Sequence, residues 1–170
     1  MRLSVCDTPD VTRSPVGYPF TPKSTARLAA GQFWSVRRDD GRFGVGIVLG
    51  VPTPDTAPHH ATSTRLFTAG LLGVVIDRPA TTADLDDARL VDWGYAHVKS
   101  IGATCTDGLG GLTDSTFNDV LKVSHRGGGA VGLYGNGTYR RDATTDEART
   151  LDVFGTWGLN FIQRLASQLP

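Results

Sequence analysis

The chain is poor in the residues that usually announce a chemistry. Two cysteines in 170 residues, Cys6 and Cys105, supply no disulfide framework, and neither carries the local signature of a catalytic thiol. No apolar run reaches the about 18 residues that a membrane-spanning helix needs, and the N-terminus lacks a positive-then-apolar signal layout. A cytoplasmic protein with no membrane partner is therefore expected. Charge of one sign is missing as well: Lys and Arg number 17, Asp and Glu 17, so the net charge is zero. Neutrality removes the simplest argument for a nucleic-acid partner. There is no Gly-x-Ser-x-Gly nucleophile elbow and no glycine loop followed by Lys-Ser/Thr. On these absences no enzymatic activity and no cofactor are expected.

What is present is β structure. Gln32-Phe33-Trp34-Ser35-Val36-Arg37 and Phe43-Gly44-Val45-Gly46-Ile47-Val48-Leu49 are rich in aromatic and β-branched residues. Between them Asp40-Gly41 supplies the positive-φ position of a short hairpin loop. Phe43, Val45, Ile47, Leu49 and Val51 share one face at period two, which makes that face core. The opposite face carries Gly44, Gly46 and Gly50, a pattern that marks a bend or the close approach of another backbone.

Residues 1–27, with Pro9, Pro15, Pro19 and Pro22, read as a poorly ordered arm, and residues 28–170 as a single α+β domain. Strands are predicted over 64–68, 95–101, 117–124 and 131–134, with 69–76 a buried apolar segment. Asn136-Gly137 turns the chain into a further strand, 138–141. Thr81 or Thr82 caps a short helix over 83–88, Thr144 with Glu147 forms a capping box ahead of a second, and an amphipathic helix runs from Thr156 with Leu159, Ile162, Leu165, Ala166 and Leu169 inward. The predicted architecture is a strongly bent, mostly antiparallel sheet or small partly open barrel with two short helices and a C-terminal amphipathic helix.

The polar candidates have plain structural readings beside their functional ones. His59-His60 lacks further ligands at metal spacing, so no metal is expected. His97 reads as the wet side of a strand, and His125 serves as a base only with a nucleophile or carboxylate beside it. Gly108-Leu109-Gly110-Gly111 and Gly127-Gly128-Gly129 read as turns. Trp34, the tip residues Asp39, Asp40 and Arg42, and the helical carboxylates Asp84, Asp86 and Asp87 form the candidate surface for a basic protein partner. Arg37-Arg38 and Arg140-Arg141 form a nucleic-acid stripe only if their two hairpins align.

The Gly31-Gln32-Phe33-Trp34-Ser35-Val36 opening, the Asp39-Asp40-Gly41-Arg42-Phe43-Gly44 turn and the Gly46-Ile47-Val48-Leu49 exit resemble the signature hairpin of the immunity protein 26 family of bacterial polymorphic-toxin systems. Phe67-Thr68-Ala69-Gly70-Leu71-Leu72 and His97-Val98-Lys99-Ser100-Ile101 extend the resemblance over residues 20–115. Arg37-Arg38 departs from it, standing where the family tends to have Pro-Leu, and so does the loop around Gly110. The resemblance implies no catalytic residues. It implies a cytoplasmic protein that protects its producer by binding a toxin. A nucleic-acid-binding accessory protein is the alternative.

Overall fold

The computed structural model describes residues 24–58, 63–104, 108–113 and 116–170. Cys6, Cys105, His59 and His60 lie outside the described residues, as does most of the predicted arm. The part of the arm inside them, from Ser24, is a 3-10 turn over Thr25–Arg27, and Thr25 is buried with its N–H donating to the Thr64 carbonyl.

The predicted hairpin is formed by β1 (Gln32–Arg37) and β2 (Phe43–Gly50), paired antiparallel from Phe33↔Ile47 to Arg37↔Phe43. Residues 64–76, read as a short strand and an untyped segment, contribute one 11-residue strand, β3 (Leu66–Ile76). Antiparallel β4 (Leu90–His97) follows. Register shifts at Phe43/Val45, Val48/Gly50 and Leu71/Leu72 mark bulges, which bend a sheet and raise its twist. The helix predicted over 83–88 is a 3-10 turn, Thr82–Leu85, with Thr81 and Asp84 closing a capping box.

The strand predicted over 95–101 ends at His97, and its second half is a helix, α1 (Lys99–Thr104). The His97 ring accepts the Lys99 N–H and the His97 carbonyl accepts the Ser100 hydroxyl, so the chain turns there and buries Val98 and Ile101 on one helical face. A two-residue β5 (Gly110–Gly111) edges β1. Then come β6 (Leu121–Val123), β7 (Gly132–Gly135), β8 (Thr138–Asp142), α2 (Thr145–Thr150), β9 (Thr156–Trp157) and α3 (Phe161–Ser167). The C-terminal helix therefore starts five residues later than predicted. Gly155 and Thr156 instead join the edge of β4, and Leu159 is left exposed.

The result is an open α+β fold, not a closed barrel. One bent sheet has the order β5-β1-β2-β3-β4-β9, all antiparallel except β4/β9, and a second has the order β6-β7-β8. Both faces of the six-stranded sheet are buried. On one, Trp34, Val48, Phe67, Ala96, Trp157, Ile162 and Ala166 form a core beneath α1 and α3. On the other, Phe33, Val45, Ile47, Trp93 and Tyr95 meet Tyr134 of the three-stranded sheet. The hairpin glycines make room for α3: a Cβ on Gly46 would stand 2.5 Å from the Trp34 ring and 2.9 Å from the Ile162 side chain. The type I′ signal Asn136-Gly137 is realised with φ of 51° and 86°, and Tyr95 Oη donates to the Gly137 carbonyl at 3.1 Å, fixing that turn on the large sheet.

Candidate functional site: a cleft where the two sheets part

Residues 152–157 stitch the sheets together. Val123 N–H donates to the Asp152 carbonyl and Phe154 N–H to that of Val123, tying the segment to β6. At the next residue the Tyr95 N–H donates to the Gly155 carbonyl and the chain becomes β9 beside β4. The β4 and β6 edges diverge in front of this segment. The gap is a cleft of about 630 Å³ with Leu71, Asp92, Lys122 and Trp157 among its lining, and Val91, Leu121, Val153 and the α3 residues Phe161 and Leu165 around them.

The backbone of β4 is not open to a further strand here, because side chains occupy its outward groups. Asn118 mimics a paired strand at Leu90, accepting its N–H at 2.9 Å and donating to its carbonyl at 3.0 Å. Asp92 Oδ1 accepts the Trp93 N–H at 2.7 Å, and Lys122 Nζ donates to the Trp93 carbonyl at 2.7 Å. Lys122 is 7% exposed, ion-paired with Asp92 and 5.5 Å above the Trp93 ring. A buried ammonium needs this many partners to offset its lost hydration. Strand addition at this edge is blocked, which leaves the rim as the surface that the cleft exposes. That rim is apolar: Val91, Leu121 and Val153 are 48%, 40% and 39% exposed, three of the four large exposed aliphatics among the described residues. Asp152 beside them is exposed and has no ion pair among the described residues.

The residues chosen from sequence lie elsewhere. Trp34 is corrected from a partner-facing residue to a core one: its ring packs edge-on to Phe67 at 6.0 Å and its Nε1 donates to Thr104 Oγ1 at 3.0 Å. The hairpin tip and the 82–87 turn share one end of the large sheet, since Phe43 pairs with Ile76 and Ala80 N–H donates to Ser35 Oγ. They do not make a free acidic surface together. Asp40 accepts from the backbone and side chain of Arg42 and pairs with Arg38, and Asp84 takes both Arg78 nitrogens at 2.8 Å. Arg78, helped by the Thr81 hydroxyl and N–H, holds the Asp84 carboxyl well below the usual carboxylate range. Asp39, Asp86 and Asp87 remain exposed.

The arginine pairs are not aligned. Arg38 is 5% exposed, with Nη2 donating to the Leu169 carbonyl, while Arg140 and Arg141 belong to the other sheet and hold Asp119 and Glu147. Ser124 Oγ lies 2.8 Å from His125 Nδ1, but on an exposed turn outside the cleft. Among the described residues no group of three or more His, Cys, Asp or Glu side chains could hold a metal, and no helix is long and apolar enough to cross a membrane. In comparisons with known proteins, no family model, curated protein or solved structure matches this chain.

Sequence reading missed the cleft because each of its parts looks ordinary alone. Leu121 and Lys122 fall within the strand predicted over 117–124, and Val153 falls between the two predicted C-terminal helices.

Proposed function

We propose that this chain is a non-enzymatic immunity-like protein that binds a toxin and blocks it, with the cleft between the sheets as the binding face. The observation that carries the reading is the ring of exposed Val91, Leu121 and Val153 around a cleft whose central charges, Asp92 and Lys122, are already spent on each other and on Trp93. Aliphatic side chains held in water on rigid strands gain free energy when a partner covers them, about 25 cal/mol per Å². The unpaired Asp152 sets the partner's chemistry: an aliphatic segment with a lysine or arginine next to it. The hairpin resemblance supplies the toxin as that partner.

The test is co-expression with toxins from neighbouring genes, followed by calorimetry on any that is neutralised. The reading expects one toxin to bind, and Leu121→Lys or Val153→Lys to weaken it by about tenfold or more, the scale of a centrally placed interface residue. Failure to bind or protect against every such toxin, or binding indifferent to both substitutions, overturns it.

A further inference from the structure

The end of the large sheet opposite the hairpin tip gathers cations that no described residue neutralises. Elsewhere Arg42, Arg78, Arg140, Arg141 and Arg149 each hold a carboxylate, and Arg37 and Arg89 are exposed singly, apart from one another on β1 and ahead of β4. At this end Arg27, Arg65 and Lys99 are exposed and have no ion pair among the described residues. Three hydrogen bonds bring them together. Thr25 N–H donates to Thr64, which puts the Thr25–Arg27 turn against the residue before Arg65. Val98 N–H donates to the Arg65 carbonyl, and Lys99 N–H donates to His97 Nδ1 at 3.1 Å. Among the described residues of the connections at this end, 24–31, 51–65 and 98–109, the one carboxylate is Asp55, in a turn that leans to the other sheet through Tyr139 N–H and the Thr56 carbonyl.

We propose that this end, Arg27, Arg65, His97 and Lys99, is a binding surface for the phosphate backbone of a nucleic acid. A neutral total charge does not oppose this, because the local field and not the sum governs the approach of a polyanion. The field is visible at His97, whose imidazole is drawn below its ordinary value by desolvation and then by Lys99 and Arg65. An anionic membrane is the poorer fit: three of the four large exposed aliphatics, Val91, Leu121 and Val153, line the cleft, which leaves Leu159 as the single one near this end, too little apolar surface to enter a bilayer. No exposed aromatic ring among the described residues joins the patch, and no described element of it is a long helix or ribbon that would enter a groove, so contact with the phosphate backbone without sequence preference is the mode.

The experiment is fluorescence anisotropy of the full chain with a labelled 20-base-pair duplex, run beside anionic vesicles. Three phosphate contacts predict that affinity falls about 40-fold between 50 and 200 mM salt. Arg65→Ala with Lys99→Ala, both surface changes, should remove most of the binding at low salt and flatten that dependence, while Arg141→Ala leaves both unchanged. Adding duplex should move the His97 ring signals in an NMR titration toward the protonated form, as phosphates offset its cationic neighbours. Absence of duplex binding, binding that survives the double substitution, or vesicle binding in place of duplex binding each overturns the proposal.

Discussion

The two sheets of this molecule are held by different forces. The six-stranded sheet is buried on both faces and needs little besides shape: Val45, Ile47, Val48, Phe67 and Leu72 have no exposed surface at all. The three-stranded sheet has one strand, β8, that is exposed at four of its five positions. Much of its attachment runs through side chains that grasp backbone: Asn118 on Leu90, Lys122 on the Trp93 carbonyl, Trp93 Nε1 on the Val120 carbonyl at 2.6 Å, and Tyr95 on Gly137. A packed face tolerates no added volume, whereas a polar clasp tolerates volume and fails when a donor or acceptor is lost. The cleft lies where one regime gives way to the other.

The sharpest way to break the comparison is to add atoms to the packed sheet. Gly46→Val puts branched carbon into space already filled by Trp34 and Ile162, and the strand cannot move because Gly46 pairs with both Trp34 and Leu71. A cost of about 3 kcal/mol or more is expected, enough to lower soluble yield and the thermal midpoint strongly. Gly128→Ala, where an added Cβ meets nothing within 4 Å, should leave the midpoint unchanged and serves as the control.

The polar clasp breaks differently. Asn118→Ala leaves both the N–H and the carbonyl of the buried Leu90 without their partner, a loss of about 1–3 kcal/mol. The expected signature is faster amide exchange at Leu90 and across β6 and β7, with the β1–β2 hairpin still protected. Asn118→Asp keeps the acceptor for the Leu90 N–H and loses the donor, so it should fall between wild type and the alanine variant. Equal acceleration in both sheets would show that they open as one unit, held by the same forces.

The same contrast explains how much could be read from the sequence. The hairpin was legible because Asp40-Gly41 and the alternation of Phe43, Val45 and Ile47 state turn and face locally. Its second face was not: Gly44 and Gly46 mark close approach, but that α3 is what approaches depends on residues more than a hundred positions away. The segment after His97 misled because Val98 and Ile101 suit a strand as well as a helix, and the His97 ring that caps Lys99 has no sequence signature. The cleft was the least legible part, since it is built from the diverging edges of β4 and β6 and from a chain segment, 152–157, that belongs to both sheets in turn. Asp39, Asp40 and Arg42 were correctly visible as a turn. As a surface they offer less free charge than the sequence suggests, because Arg42 and Arg38 pair with Asp40.

A smaller change sharpens the boundary itself. Lys122→Met keeps the length of the stem over Trp93 and removes the ammonium. Asp92 is partly exposed and keeps the Trp93 N–H, so water offsets most of its loss, and the Trp93 carbonyl bears the remainder. The expected cost is about 1–2 kcal/mol, less than breaking a wholly buried pair. Denaturant unfolding measures it, and a stabilised variant would mean that Lys122 is retained for the cleft and not for the fold.

The mildest effect is expected at α2, on the outer side of the small sheet, where acid can titrate one clasp without mutation. Glu147 receives Arg141 through both carboxylate oxygens, at 2.7 and 2.8 Å, and the Thr144 N–H at 2.8 Å. The Arg141 guanidinium first, and then that backbone N–H, lower its carboxyl to about 2. A carboxylate that ionises more readily folded than unfolded stabilises the folded state above its unfolded value of about 4.3, and the benefit disappears as pH falls through the folded one. Between pH 5 and pH 2, α2 should therefore fray before the hairpin does, seen as earlier loss of amide protection at Ala148 and Leu151, whose N–H groups close the helix. Glu147→Gln keeps an acceptor but surrenders the charge, so it should show the weaker protection already at pH 5 and little further change on acidification. The exposure of this pair keeps the difference small, and identical acid profiles for the two proteins would remove Glu147 from the forces that hold the outer sheet.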